Sequence, residues 1–233
     1  HCWRDLPERY GPRKTFYNRF NRWSKSGIIN IIFNRLLSSL DVHGFFDWST
    51  TALDGSNIRV LRRAAGAQTK HSDITGDNGL GRSRRGFGTK IHLATDVSGL
   101  PLNIVLSPGQ AHESQFAQRL LGGIGIQRQN DSMKRRGHAV LADIVHSEHV
   151  LHNELKIKGI KTPPPPRKTN EKMGGDGRSQ LDRDACRNRN IVDRCFGCLK
   201  GYCRIAITYD KIARNQLAMV KLGCIRLFYR SVM

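Results

Sequence analysis

Acidic residues are scarce in this chain. There are 19 Asp and Glu against 39 Lys and Arg in 233 residues, which leaves a formal net charge of +20 and a pI near 10.4. A solvated surface does not need that excess, and nucleic acid is the polyanion it fits first. Long hydrophobic runs are also missing. Nothing approaches the roughly 18 consecutive apolar residues of a spanning helix, and no Lys/Arg-rich amphipathic helix stands out for a membrane surface. A membrane partner is therefore not expected. No signal-peptide pattern opens the chain. It begins at His1 rather than Met, inside what reads as an ongoing motif, so an N-terminally incomplete sequence is expected.

Cysteine is present but poorly distributed. Cys186, Cys195, Cys198 and Cys203 crowd together, with Cys2 and Cys224 apart. That spacing does not staple a whole chain, and a reducing intracellular compartment is expected. Cys195-x-x-Cys198 with Cys186 or Cys203 leaves a zinc site open as one reading. No compact second ligand pair accompanies it, and free cysteines are often simply buried.

The chain divides near residue 46. In the first part, Phe16, Phe20 and Trp23 recur at helical spacing, with Arg19 and Arg22 off that face. Gly27 breaks the pattern, and Ile28, Ile31, Ile32, Arg35 and Leu36 begin a second helix. Two short helices with exposed arginines fit a helix-turn-helix-like DNA reader over 1–46, with a plain helical hairpin as the alternative. From residue 50 the pattern turns to strands. Thr51-Ala52-Leu53-Asp54 is an extended run ending in a carboxylate, and 64–88, rich in Gly, Ser and Arg, reads as a loop. Thr89 to Asp96 and Pro101 to Leu106 read as a hairpin about Ser98-Gly99. A helix is expected over 112–122 with Phe116, Leu120 and Leu121 inward. Ala139 to Asp143 reads as a short buried strand, 148–158 as a helix and Ile160-Lys161-Thr162 as a candidate strand. After the stiff run Pro163 to Pro166 and a polar stretch, helices are expected near 184–200 and 212–229. This order predicts an α/β fold with a mixed sheet.

Asp54 and Asp143 both end apolar strands, where an α/β sheet presents ligands. Taken singly, each is better explained by a turn or cap. Asp96 also ends a strand, but the Ser98-Gly99 turn explains it better. Converging carboxylates repel unless cations hold them, and Mg²⁺, an oxygen-seeking ion, suits such a cluster. Two such ions about 3.5–4 Å apart serve in-line displacement at phosphorus. The helix near 184–200 offers a third carboxylate, Asp193. At about 100° per residue, Arg189 and Lys200 fall within about 40° of it, as does Cys186. Ile191, Cys195, Cys198 and Leu199 fall on the opposite side. The alternative is a solvated charged face. His92, His112, His138 and His146 invite a general-base role, although a structural histidine is an equal reading.

These blocks, taken in order, resemble a DDE transposase of the insertion-sequence-five family over nearly the whole chain. Cys2-Trp3-Arg4-Asp5-Leu6-Pro7 and Thr15 to Trp23 are similar to the family's N-terminal helical segment. Leu53-Asp54-Gly55-Ser56 and Leu141-Ala142-Asp143 match its first two aspartate motifs. Gly81 to His92 and Gly109-Gln110-Ala111-His112-Glu113 match central blocks. Arg189-Asn190-Ile191-Val192-Asp193-Arg194 through Lys200 matches the third acidic motif, followed by Arg204-Ile205-Ala206 and Tyr209-Asp210-Lys211. The resemblance implies a ribonuclease-H-like catalytic domain over 47–233. It implies that Asp54, Asp143 and Asp193 hold two Mg²⁺ ions, with Mn²⁺ able to substitute. Arg189 and Lys200 would orient DNA, and Arg82, Arg84, Arg85 and Lys90 would contact phosphates, with Arg19 and Arg22 on the N-terminal helix. It further implies double-stranded DNA as substrate, a homo-oligomer on DNA, and a bacterial cytoplasm with nucleoid association.

Two positions and one four-residue stretch depart from the family. Asp193 stands where Glu is usual, and Cys186 where Tyr is usual. The second motif continues Ile144-Val145-His146-Ser147 in place of Lys, Gly, Tyr and Asp. An inactive DNA-binding remnant is therefore the second functional reading.

Overall fold

The computed structural model describes residues 3–65, 80–83, 86–112, 114–127, 133–134, 137–142, 155–156, 160, 190–210 and 212–232. The expected helix around 148–158, apart from residues 155–156, and most of the expected 160–162 strand lie outside them.

Two 3-10 turns, Trp3–Asp5 and Glu8–Tyr10, lead into α1 (Arg13–Lys25) and α2 (Ile28–Val42). Gly27 separates the helices in the left-handed region, at φ 75°, a conformation glycine adopts without steric cost. The periodicity predicts both helices. It does not give their buried sides. In α1, Phe20 is buried but Trp23 is exposed. In α2 the buried row is Ile29, Phe33, Leu37 and Leu40, while Ile31 and Ile32 remain 52% and 42% exposed. The first half of α2 is apolar almost all round, so its pattern alone cannot choose a face. Tertiary packing chooses: Phe33 packs against Phe228, with ring centroids 5.7 Å apart and planes tilted by 32°. Beside them, Lys221 Nζ donates to Asn30 Oδ1 at 2.9 Å and lies over the Phe33 ring.

The sheet is built around β1 (Thr50–Ala65). This strand does not end at Asp54, as the sequence suggests, but runs eleven residues beyond it to Ala65. β3 (Gly86–Thr95) pairs antiparallel with β1 from Ala52↔Thr95 to Arg59↔Gly88. On the far side of β3 lie β2 (Gly81–Ser83) and β4 (Pro101–Pro108), both antiparallel to it. On the far side of β1 lie β7 (Ala139–Ala142) and β8 (Ile207–Asp210), both parallel to it. β5 (Ile126–Gln127) and β6 (Met133–Lys134) form a separate small ribbon. Part of the expected 64–88 loop is therefore strand, namely residues 64–65, 81–83 and 86–88. Four-residue β8 was not expected from the sequence.

The Ser98-Gly99 turn forms as predicted, with Gly99 at φ 87°. Asp96 anchors it. Its buried carboxylate accepts the Leu100 N–H at 2.7 Å and, through the other oxygen, the Asp47 N–H at 3.0 Å. Burial raises its pKa to about 6, against the pull of those hydrogen bonds. Asp96 is thus a turn residue that ties the α2–β1 connection to the hairpin.

Helices cover both faces of the sheet. α3 (Ser114–Gly122) packs on β3 and β4. α4 (Asn190–Lys200) packs on β1 and β3, and after the short α5 (Cys203–Ala206), α6 (Ala213–Val232) packs on α2, α4 and β4. Residues 91–95 of β3 are buried whichever face they point to, as a strand covered on both sides must be. No described helix is long and apolar enough to cross a membrane.

The N-terminal turn is fastened to the α5–β8 segment. Arg204 lies over the Trp3 ring at 4.5 Å and pairs with Asp210 at 2.7 Å. Trp3 in turn packs on Tyr17 and Phe20 of α1.

Candidate active site

Side chains alternate between the two faces of a sheet, and directly paired residues of neighbouring strands share a face. The register therefore sorts the candidates. Asp54 pairs with Leu93, and Ser56 with Ile91. Lys200 Nζ, at the end of α4, donates to Ser56 Oγ. Asp54 and Ser56, two apart on β1, thus lie on the face that α4 covers. Asp54 is half-buried, and its Oδ1 accepts the Gly55 N–H at 2.7 Å.

The other face is occupied differently. His92 is buried, hydrogen-bonded through Nε2 to Ser107 Oγ at 2.7 Å, and stacked on Phe116 of α3 at 4.8 Å and 13°. Burial, with Lys90 beside it, lowers its pKa to about 4. This ring is a neutral structural histidine. Lys90 shares the α3 face and donates to the Ala111 carbonyl oxygen at 3.4 Å. The structure therefore separates Lys90 from Asp54 by the thickness of the sheet. His112 and His138 are exposed, and His146 lies outside the described residues.

Helix α4 runs alongside β1 in the same sense. Its first turn packs at the β3–β4 turn, where a Cβ built on Gly99 would meet Ile191 Cγ2 at 3.4 Å. Its last residue reaches Ser56. Ile191, Val192, Cys195, Phe196 and Leu199 form its buried side, and Asp193 and Lys200 are exposed. Cys198 departs from the sequence reading, being exposed rather than on the apolar side. The buried arc centres nearer Val192 and Leu199 than opposite Asp193, which leaves Cys198 at its edge. Cys195 and Cys224 are buried, and burial pushes the Cys195 thiol up to about 12. Among the described residues, no group of three or more His, Cys, Asp and Glu converges to hold a metal.

Asp143, Arg189, Arg84 and Arg85 lie outside the described residues, as does the Arg82 side chain. Arg19 and Arg22 are exposed on α1. The two central blocks meet in space. Gly109 N–H donates to the Gly88 carbonyl oxygen at 3.2 Å, and a Cβ on Gly81 would strike the Gln110 side chain. Ser56 escaped the sequence reading as a site residue. Its signals were its membership of the Leu53-Asp54-Gly55-Ser56 motif and its place two residues after Asp54, on the same strand face.

A mixed sheet with helices on both faces and a strand carboxylate beside a cation-bearing helix defines a ribonuclease-H-like DDE domain. Residues 46–228 match the family model described as "Transposase DDE domain". Residues 1–33 match the model described as "Putative transposase of IS4/5 family". The chain belongs to the DDE transposases of IS4/5 type. A curated relative from Brucella ovis, the "Putative transposase for insertion sequence element IS6501", is 27% identical over 146 residues, covering 61% of this chain and 98% of the relative. No solved structure matches. Transposases act on DNA, and DDE domains generally use divalent metals.

Proposed function

We propose that this chain cuts and joins DNA at insertion-sequence ends, with Asp54, Asp143 and Asp193 as the acidic triad. Two lines of register support the triad. The β1–β7 pairing ends at Leu53↔Ala142, and in sequence Asp54 follows the one residue and Asp143 the other. The Lys200–Ser56 hydrogen bond fixes the height of α4 against β1, and it is the observation that carries the reading. Asp193 lies seven residues before Lys200, or about 10 Å back along the helix at 1.5 Å per residue. At about 3.4 Å per strand residue, that is about three residues back from Ser56, level with Leu53 and Asp54. Asp193 and Lys200 also share an azimuth on α4.

The donor set fits Mg²⁺, with Mn²⁺ as substitute: carboxylate oxygens, one of them oriented by a backbone N–H. Two bound ions would supply charge stabilisation and an activated nucleophile. In the reaction, water attacks a phosphodiester at each element end and frees a 3′-hydroxyl. That hydroxyl then attacks target DNA by transesterification, without a covalent enzyme intermediate. The chain contributes positioning and charge. Lys200, on the carboxylate face, and Arg189, one helical face with it in sequence, hold the phosphate backbone. Arg82, Arg84 and Arg85 contact phosphates, and Lys90 contacts DNA only where the duplex reaches the α3 side. Arg19 and Arg22 on α1 contact DNA from the helix-turn-helix-like 1–46 segment, beside the 47–233 catalytic part. Synapsis of two ends calls for at least two copies on DNA.

The test is nicking of supercoiled plasmid by the purified chain in Mg²⁺ or Mn²⁺. Metal-dependent nicking, abolished by EDTA and by Asp143→Ala, is expected. Salt-sensitive DNA binding without nicking would overturn the catalytic reading in favour of a DNA-binding remnant.

A further inference from the structure

We infer that Ser56 is a positioning residue that holds Lys200 over the carboxylate face, an inference that rests on the function proposed above. Lys200 is the last residue of α4, where a four-carbon stem otherwise samples many rotamers. Two groups narrow that range. Ser56 Oγ accepts a hydrogen bond from the ammonium, and the ring of buried Phe196 lies 5.8 Å beneath it. The helix C-terminus adds a weak attraction for the cation. The contact spans 144 positions of sequence, so it docks one motif on another rather than closing a local turn.

The Asp54-Gly55-Ser56 segment thereby performs two tasks within three residues. The Gly55 N–H orients the Asp54 carboxylate, and the Ser56 hydroxyl, on the same strand face, holds the ammonium at that face. Asp54 and Ser56 themselves lie about 7 Å apart along the strand. A strongly hydrated ammonium left unanchored would spend much of its time away from the phosphate it must meet. A hydroxyl is suited to this role. It accepts the hydrogen bond without a negative charge that would repel the DNA backbone, and it leaves the ammonium's remaining protons for phosphate oxygens.

The experiment is a double-mutant cycle on plasmid nicking. Ser56→Ala should slow nicking roughly tenfold, the equivalent of one lost charged hydrogen bond. Ser56→Thr, which keeps the hydroxyl, should retain the wild-type rate within about twofold. The Ser56→Ala/Lys200→Ala chain should be no slower than Lys200→Ala alone, because Ser56 acts through Lys200. Losses that multiply, or a Ser56→Ala rate equal to wild type, would overturn the inference. A second measurement needs neither metal nor DNA. Acylation of Lys200, followed by peptide mass spectrometry, should be several-fold faster in Ser56→Ala, with exposed Lys25 of α1 as the unchanged control. Equal Lys200 rates would overturn the contact itself. A wild-type chain that never nicks, while acylation still distinguishes the two proteins, would instead overturn the nuclease reading and, with it, the positioning role of Ser56.

Discussion

The two faces of the central sheet treat their polar residues in opposite ways. On the α3 face, His92 is dry, stacked on Phe116 and bonded to Ser107, and Lys90 is tied to a loop carbonyl. On the α4 face, Asp54 is half-buried, and Asp193 and Lys200 are exposed along the helix that flanks it. The β1–β3 pair carries His92 and Lys90 toward one face and Asp54 toward the other, one residue out of phase. The α3 face spends its polar groups on holding the loop and helix to the sheet. The α4 face leaves them at its border with solvent. The difference teaches that charge near a DDE motif is not evidence of a role in chemistry until the pleat assigns it a side.

That contrast can be broken most sharply at Asp54. Asp54→Ala should lower nicking by at least about 10³-fold, the scale of losing a main electrostatic element of a site. Its melting temperature should stay within a few degrees, as for a half-buried position. An equal loss of nicking in a folded His92→Gln chain would erase the distinction between the faces. Asp193→Glu sharpens the same face from the other direction. Restoring the longer side chain usual in the family should raise the rate, up to about 10²-fold if Asp193 sits about 1 Å short. A fall in rate would mean that this site is built around the shorter acid.

Stability should respond on the α3 face. His92→Ala removes a stacked, buried ring and strands the Ser107 hydroxyl, with an expected loss of about 2–4 kcal/mol in denaturant melts. Asp96→Ala leaves the Asp47 and Leu100 N–H groups without their acceptor, at about 1–3 kcal/mol.

The smallest effect is a pH slope. The folded pKa of His92 is lowered from 6.5 to about 4, so the folded state resists protonation. Its contribution is complete above about 6.5 and is lost as pH falls toward 4. Asp96 has the opposite sign. Its pKa is raised from 3.8 to about 6, so its cost to stability grows as pH rises from about 4 to 6. The two slopes oppose each other between pH 4 and 6. The net loss on acidification should therefore concentrate just above pH 6, and Asp96→Asn should expose the His92 slope across the whole interval. An Asp96→Asn chain whose stability does not fall from pH 6.5 to 4 would contradict the neutral, buried state of His92.

Much of this was legible before the structure. The β3–β4 hairpin could be read because Ser98-Gly99 supplies the one residue that takes a positive φ there. Asp54 could be read because it follows Leu53 at the edge of an apolar run. The continuation of β1 was less visible, since Ile58 and Val60 alternate with Asn57 and Arg59 but adjoin a basic stretch. β8 is four residues long and follows a single helical turn, too short for a period to register. The buried face of α2 was ambiguous because five of its first six residues are apolar. The Lys200–Ser56 contact has no local signal at all, since only the docking of α4 on β1 creates it.

The central claim is that metal binds on the α4 face, between β1 and α4. Replacing Mg²⁺ with Fe²⁺ and adding ascorbate and peroxide would generate hydroxyl radicals at that position, and mass spectrometry would locate the backbone cuts. The account predicts cuts near Asp54 and Asp193, abolished by excess Mg²⁺ and by Asp54→Ala. Cuts confined to α3 or to the cysteine cluster, or unchanged in Asp54→Ala, would contradict it.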